Sequence, residues 1–218
     1  MGEAEIQTGQ GVLLIHAHII TYGNAANDEL TVRISSEIES MWNEPEATIQ
    51  IKDRILLVRF IISAAWKPEL PPLEVVSNTD PRNNYFRIEH KAVGNISFVD
   101  GLGCNTGYFL SENLYDGSTT AAHEFGHTLG LDHPVNLDIR GKGQPSIMYP
   151  RGTLVDPEYQ YDPNVPAGVP GGTMHPKFRK VTIEDIHALK IHKLRFTGVT
   201  AILGDFSNQF HPDHGYWV

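Results

Sequence analysis

A chain of 218 residues with 40% hydrophobic and 20% charged side chains can build one core of its own, which excludes a stapled mini-protein and a disordered tail. Its 26 acidic against 17 basic residues leave a net charge of -9, so a phosphate-tracking surface, and with it nucleic acid as a partner, is not expected. The lone cysteine, Cys104, excludes an internal disulfide, and with no basic leader and no apolar run near the roughly 18 residues of a membrane span, the sequence reads as soluble with no secretion signal.

After a polar, acidic opening, residues 12–22 (VLLIHAHIITY) combine β-branched and apolar side chains without helical period and end at Gly23, which predicts a mostly buried strand. His16 and His18 share a face of it. They are candidate ligands, although core or edge-strand histidines are commoner. From Asn27, a suitable N-cap, Leu30, Ile34, Ile38, Met41 and Trp42 form the apolar stripe of an amphipathic helix. Residues 47–52 and 55–65 then read as a hairpin about Asp53-Arg54, its second strand buried on both faces.

Residues 66–84 hold four prolines and predict a surface loop. Two short strands over 85–89 and 95–99 follow. Residues 100–108 (DGLGCNTGY), rich in glycine and turn formers, predict an exposed connection or bulged edge strand, with Cys104 as a structural or incidental thiol. Residues 118–131 (STTAAHEFGHTLGL) predict a helix capped by Ser118, with Ala122, Phe125 and Leu129 on its core face. The stretch 134–176 contains eight of the 14 prolines and six glycines, and so predicts a long irregular region of the kind that is usually functional. Thr182 with Asp185 approximates a capping box before a last helix of about 13 residues, with Ile183, Ile186, Leu189 and Leu194 on its apolar face.

The chemistry is concentrated in residues 123–133. His123 and His127 are four residues apart on one helical face, a spacing that a tetrahedral zinc ion can bridge. Glu124 leans over the same cleft without pointing at the metal, where it can take a proton from a water. Gly130 can adopt the left-handed conformation that ends the helix and brings His133 back to the same point. HExxH alone recurs by chance; the five-position form HExxHxxGxxH does so far more rarely.

With this motif the sequence resembles the metzincins, zinc-dependent endopeptidases in which HExxHxxGxxH is followed by a methionine-containing turn. Ser146-Ile147-Met148-Tyr149-Pro150, 15 residues after His133 at its methionine, is similar to the Met-turn of matrixins, and the opening of the final helix is similar to theirs. Pro134 is a serralysin-like feature, so the subfamily stays open.

The resemblance implies an α+β zincin-like fold: a twisted mixed sheet with a backing helix and an active-site helix. It implies one catalytic domain over 1–218, with the zinc cleft between an upper subdomain (1–133) and a lower one (134–218). One catalytic Zn2+ is then held by His123, His127 and His133 over the apolar floor of Met148, with Glu124 as general base and then acid. Structural Ca2+ is compatible with the family, but no segment indicates it.

A protein or peptide substrate is expected to lie extended along an edge strand built from residues 95–110, with its side-chain pocket walled after Met148 by Tyr149, Tyr159 and Tyr161. A proteinaceous inhibitor or immunity protein is a further partner compatible with this reading. Two alternatives stand beside it: a catalytically silent zinc-binding interaction domain, which usually loses the glutamate, and a proteolytic effector or toxin module of a larger bacterial polypeptide, with a secreted or exported role. His211 and His214 are assigned no catalytic role.

Overall fold

The spine of the molecule is β2 (Val12–Tyr22), whose burial alternates from Leu13 to Ile19 before four consecutive residues, Ile19 to Tyr22, are all covered. The computed structural model describes residues 1–91 and 96–213. Along its whole length β2 runs parallel to β4 (Arg54–Trp66). On its other side the first half pairs antiparallel with β1 (Gly2–Gln7), and the second half pairs parallel with β5 (Asn83–Glu89). The hairpin partner β3 (Thr48–Ile51) forms one edge, and β7 (Thr106–Leu110) followed by β6 (Phe98–Val99) the other. With β8 (Thr200–Leu203) added to β1, the described residues form one mixed sheet of eight strands.

Helix α1 (Asp28–Asn43) covers one face. It starts where the sequence places it, with the Asn27 side chain accepting the Leu30 N–H at 2.8 Å. Its buried stripe of Leu30, Ile34, Ile38 and Trp42 shares the main core with Leu13, Ile15 and Ile19 of β2 and with Leu56, Val58 and Phe60 of β4. Each fully buried side chain of this size contributes about 1.5–3 kcal/mol, so the packing of α1 on β2 and β4 is a major part of what holds the fold.

Several expectations are corrected. β1 is a strand although its sequence, GEAEIQ, is polar; it is held by β2 and β8, segments far from its own pattern. The β3–β4 turn is Lys52-Asp53, since Ile51 pairs with Arg54 and Lys52 has φ 55°. β4 is not buried on both faces: Ile55 is 71% and Ile61 45% exposed, because α1 covers only one side of the sheet. The expected loop over 66–84 contains a short helix, α2 (Pro72–Val76). Far from being an edge, β7 is paired on both sides, and of these two strands it is β6 that is peripheral.

The expected strand over 95–99 is Phe98–Val99 among the described residues, and Asn95 lies outside them. The last helix, α4 (Ile183–Ala188), has the capping box but stops after six residues, because Lys190 takes a left-handed conformation (φ 52°). Residues 134–176 are irregular, as their prolines require. No helix among the described residues is long and apolar enough to cross a membrane.

Candidate metal centre

The site is built on α3 (Thr120–Thr128), which is buried over its whole length. Phe125 fixes it to the core: its ring lies 5.8 Å from Trp42 and 6.3 Å from Phe60, both edge-on, and the Trp42 indole N–H donates to the Ala122 carbonyl at 3.1 Å. The N-cap position falls on Thr119, one residue after the expected Ser118, and the Ser118 hydroxyl accepts the Thr120 N–H instead. A distant residue completes the cap, since the Glu37 carboxylate of α1 accepts the Ala122 N–H at 3.2 Å. Burial raises the Glu37 carboxyl above its ordinary range, and the Ala122 hydrogen bond opposes that. Replacing Glu37 by Ala leaves a helix-terminal N–H without its acceptor and is expected to cost about 1–2 kcal/mol in urea unfolding, with the slope unchanged.

The far end of α3 is closed by Gly130, φ 93°. Its N–H reaches the His127 carbonyl at 3.0 Å and the Leu131 N–H reaches the Gly126 carbonyl at 3.0 Å, the paired bonds of a Schellman turn. This turn has two effects on the histidines. It folds His133 back over α3, and it delivers the Leu131 carbonyl to His127 Nδ1 at 2.7 Å. On the neighbouring turn, His123 Nδ1 meets the Ile147 carbonyl at 2.7 Å.

A carbonyl oxygen only accepts, so both rings carry their proton on Nδ1 and present a bare Nε2. Those two Nε2 atoms each lie 3.1 Å from Nε2 of His133. The edge of a tetrahedron with zinc–nitrogen bonds of about 2.05 Å is roughly 3.3 Å, so these two edges are close to those of a tetrahedral ion's face, and the ligand atoms of all three residues lie within 4.8 Å of one another. Burial lowers the pKa of all three imidazoles, most strongly His123, with the Arg179 charge pushing the same way, so they are neutral and ready to donate lone pairs. His123, His127 and His133 are the one group of three or more potential ligands found among the described residues.

Glu124, 6% exposed, shares a cleft of about 520 Å³ with the three histidines, Thr120 and Arg179. Burial pushes its carboxyl up to about 8, against the pull of the Arg179 guanidinium, and a cation at the imidazoles would add to that pull. Arg179 is itself only 4% exposed and is anchored by Thr119 Oγ1 at 2.9 Å and by the carbonyls of Tyr149 and Ser118 at 3.2 and 3.3 Å. Neither Arg179 nor Glu37 is visible to sequence reasoning. Arg179 sits in the run KFRK with two other basic residues, Lys177 and Lys180, and nothing local separates a surface cation from a buried one.

Met148, 3% exposed, lies beneath α3 at Gly126: a Cβ there would collide with the methionine sulfur and approach Trp42 to 3.2 Å. Tyr149 and Tyr159 pack around a separate small cluster of Ile139, Val155 and Met174, and the Tyr161 ring lies 4.5 Å from that of His175. The wall of the cleft beyond Met148 is formed instead by Pro150 and Arg151.

Among the described residues, the other histidines noted in the sequence lie apart from the site. His16 meets Glu5 at 3.2 Å, His18 meets Ser63 at 2.8 Å and His211 meets Asp100 at 2.9 Å, while His214 lies outside the described residues. Cys104 is a partly buried free thiol.

No protein-family profile matches this chain, and no curated protein matches it. Among solved structures, the archaemetzincin from Methanopyrus kandleri, a crystal structure at 1.5 Å resolution, aligns over 86% of this chain and 98% of that one, with 10% identity and a TM-score of 0.41.

Proposed function

We propose that this chain is a zinc-dependent endopeptidase of the metzincin type, with His123, His127 and His133 as metal ligands and Glu124 as the proton carrier. The observation that carries the reading is the convergence of three imidazole nitrogens, two of them oriented by Nδ1–H bonds to main-chain carbonyls, in the cleft that also holds the buried carboxyl of Glu124. When bound, zinc supplies Lewis-acid polarisation of the peptide carbonyl and lowers the pKa of water toward neutrality.

The chain's own groups do the rest. Glu124 accepts the proton of the attacking water and returns it to the departing amine, the base and then the acid of one cycle. The fixed carbonyls of Ile147 and Leu131 hold the two ring planes, so the ligands need no reorganisation when the ion enters. An extended substrate is taken to pair along β6, an edge strand with β7 on one side and the cleft on the other, for which residues 96–99 in the cleft lining are the support. The division at His133 into an upper and a lower subdomain belongs to the same reading.

A catalytically silent zinc domain is the less supported alternative, because Glu124 is intact and sits in the cleft. The test is zinc analysis of the purified protein together with cleavage profiling on a peptide library. One zinc per chain and defined cleavage sites are expected; a protein that binds zinc and cleaves nothing favours the silent domain.

Within this reading Met148 is an apolar floor that makes no bond to the metal. Its sulfur packs against Gly126 on the core side of α3. Met148→Leu, nearly equal in volume, is expected to cost less than about 1.5 kcal/mol and to keep zinc. Loss of stoichiometric zinc in that variant would show that the thioether does more than pack.

A further inference from the structure

The cleft is lined by ionisable groups of both signs. Asp132, which accepts the His133 N–H at 2.7 Å, and Glu124 supply its carboxyls. Two arginines, Arg151 and Arg179, line it as well, in a chain whose net charge is -9. They differ in how they are used. Arg179 is buried, and three of its five N–H groups are spent on Thr119, Tyr149 and Ser118, which makes it a fixed positive wall. Arg151, two residues after Tyr149, is exposed and makes no hydrogen bond or ion pair among the described residues.

The charge of Arg151 reaches Arg179, Tyr115 and His175; Glu124 and Glu37 also act on Arg179, and neither is paired with Arg151. A flexible guanidinium backed by a second, buried one in a concave wall forms an acceptor site for one chemical class. Planar carboxylates match the guanidinium fork, and partial exclusion of water strengthens the pair beyond what an exposed ion pair gives.

We propose that Arg151, backed by Arg179, is a specificity-determining residue that binds a carboxylate of the substrate, an Asp or Glu side chain near the scissile bond. This inference deepens the peptidase reading and rests on it for the word substrate. The shared chemistry is a carboxylate, which a peptide's free C-terminus also offers, so the test separates the two sources.

The experiment uses the zinc-loaded protein and quenched peptides with blocked ends that differ only by Glu or Gln at each position around the cleavage site. A second pair differs only by a free or an amidated C-terminus. The wild type is expected to prefer Glu over Gln by about tenfold in kcat/KM at one position, mainly through KM. In Arg151→Ala that ratio falls to within about twofold of unity, Arg151→Lys keeps part of it, and Arg151→Glu inverts it toward the Gln peptide.

A structural role alone would lower every rate together and leave the ratio untouched. Preference for the free C-terminus, lost in Arg151→Ala, assigns the subsite to a terminal carboxylate and overturns the side-chain form. Equal Glu:Gln ratios in wild type and Arg151→Ala overturn the subsite altogether. Fluorescence anisotropy of the same peptides on Glu124→Gln reads binding without turnover. A Glu preference there with no cleavage by wild type sinks the peptidase reading while leaving the carboxylate site standing, and its absence where wild type cleaves does the reverse.

Discussion

Glu124→Gln is expected to reduce peptide hydrolysis by roughly two to four orders of magnitude, with one zinc per chain retained and the fold unchanged. The substitution keeps the volume of a side chain that is 6% exposed and removes only its capacity to take a proton. No ligand nitrogen and neither of the ring-holding carbonyls, Ile147 and Leu131, is touched. The loss should fall on kcat, since the carboxyl acts on the water and the leaving amine and not on substrate affinity. Steady-state kinetics with metal analysis of the same sample check it. A variant that still cleaves at a tenth of the wild-type rate would move the base elsewhere, and one that loses zinc would give Glu124 a structural role.

His133→Ala is expected to abolish stoichiometric zinc binding while leaving the metal-free protein within about 1.5 kcal/mol of wild type. His133 is the exposed member of the three, so its removal empties no part of the core. Without an ion, its Nε2 lies 3.1 Å from two bare imidazole nitrogens, so its Nε2–H tautomer donates to one of them, and truncation gives up no more than that one hydrogen bond. The effect therefore appears mainly on the loaded side of the comparison.

Zinc at about a thousand times its dissociation constant stabilises the wild type by roughly 4 kcal/mol, about 8–16 °C in Tm for a chain of this size. A chelator removes that increment, and the variant never has it. Calorimetry with and without zinc and chelator reads both. A zinc-dependent Tm that survives in His133→Ala would place the ion on other residues.

Much of this protein is legible in its sequence because periodicity and spacing are local properties. The limits of β2, the start of α1 at Asn27, the Thr182 capping box and the irregular proline-rich stretch follow from residues within a few positions of one another. The convergence of His123, His127 and His133 is of the same kind. A four-residue step sets two rings on one helical face, and a glycine free to take φ 93° turns the chain so that the third returns.

What the sequence leaves open depends on partners remote in the chain. β1 is polar, and besides its hairpin partner β2 it is held by β8 from the other end of the chain, while β7 is interior because β6 pairs on one side of it and β5 on the other. The charged residues behind the site are set the same way. Glu37 caps a helix 85 positions away, and Arg179 is held by Thr119, 60 positions away. A charged side chain carries no mark of its own burial. Whether it faces water or closes a cleft is decided by which backbone groups the tertiary fold brings to it, since only those acceptors and donors can offset the cost of taking the charge out of water.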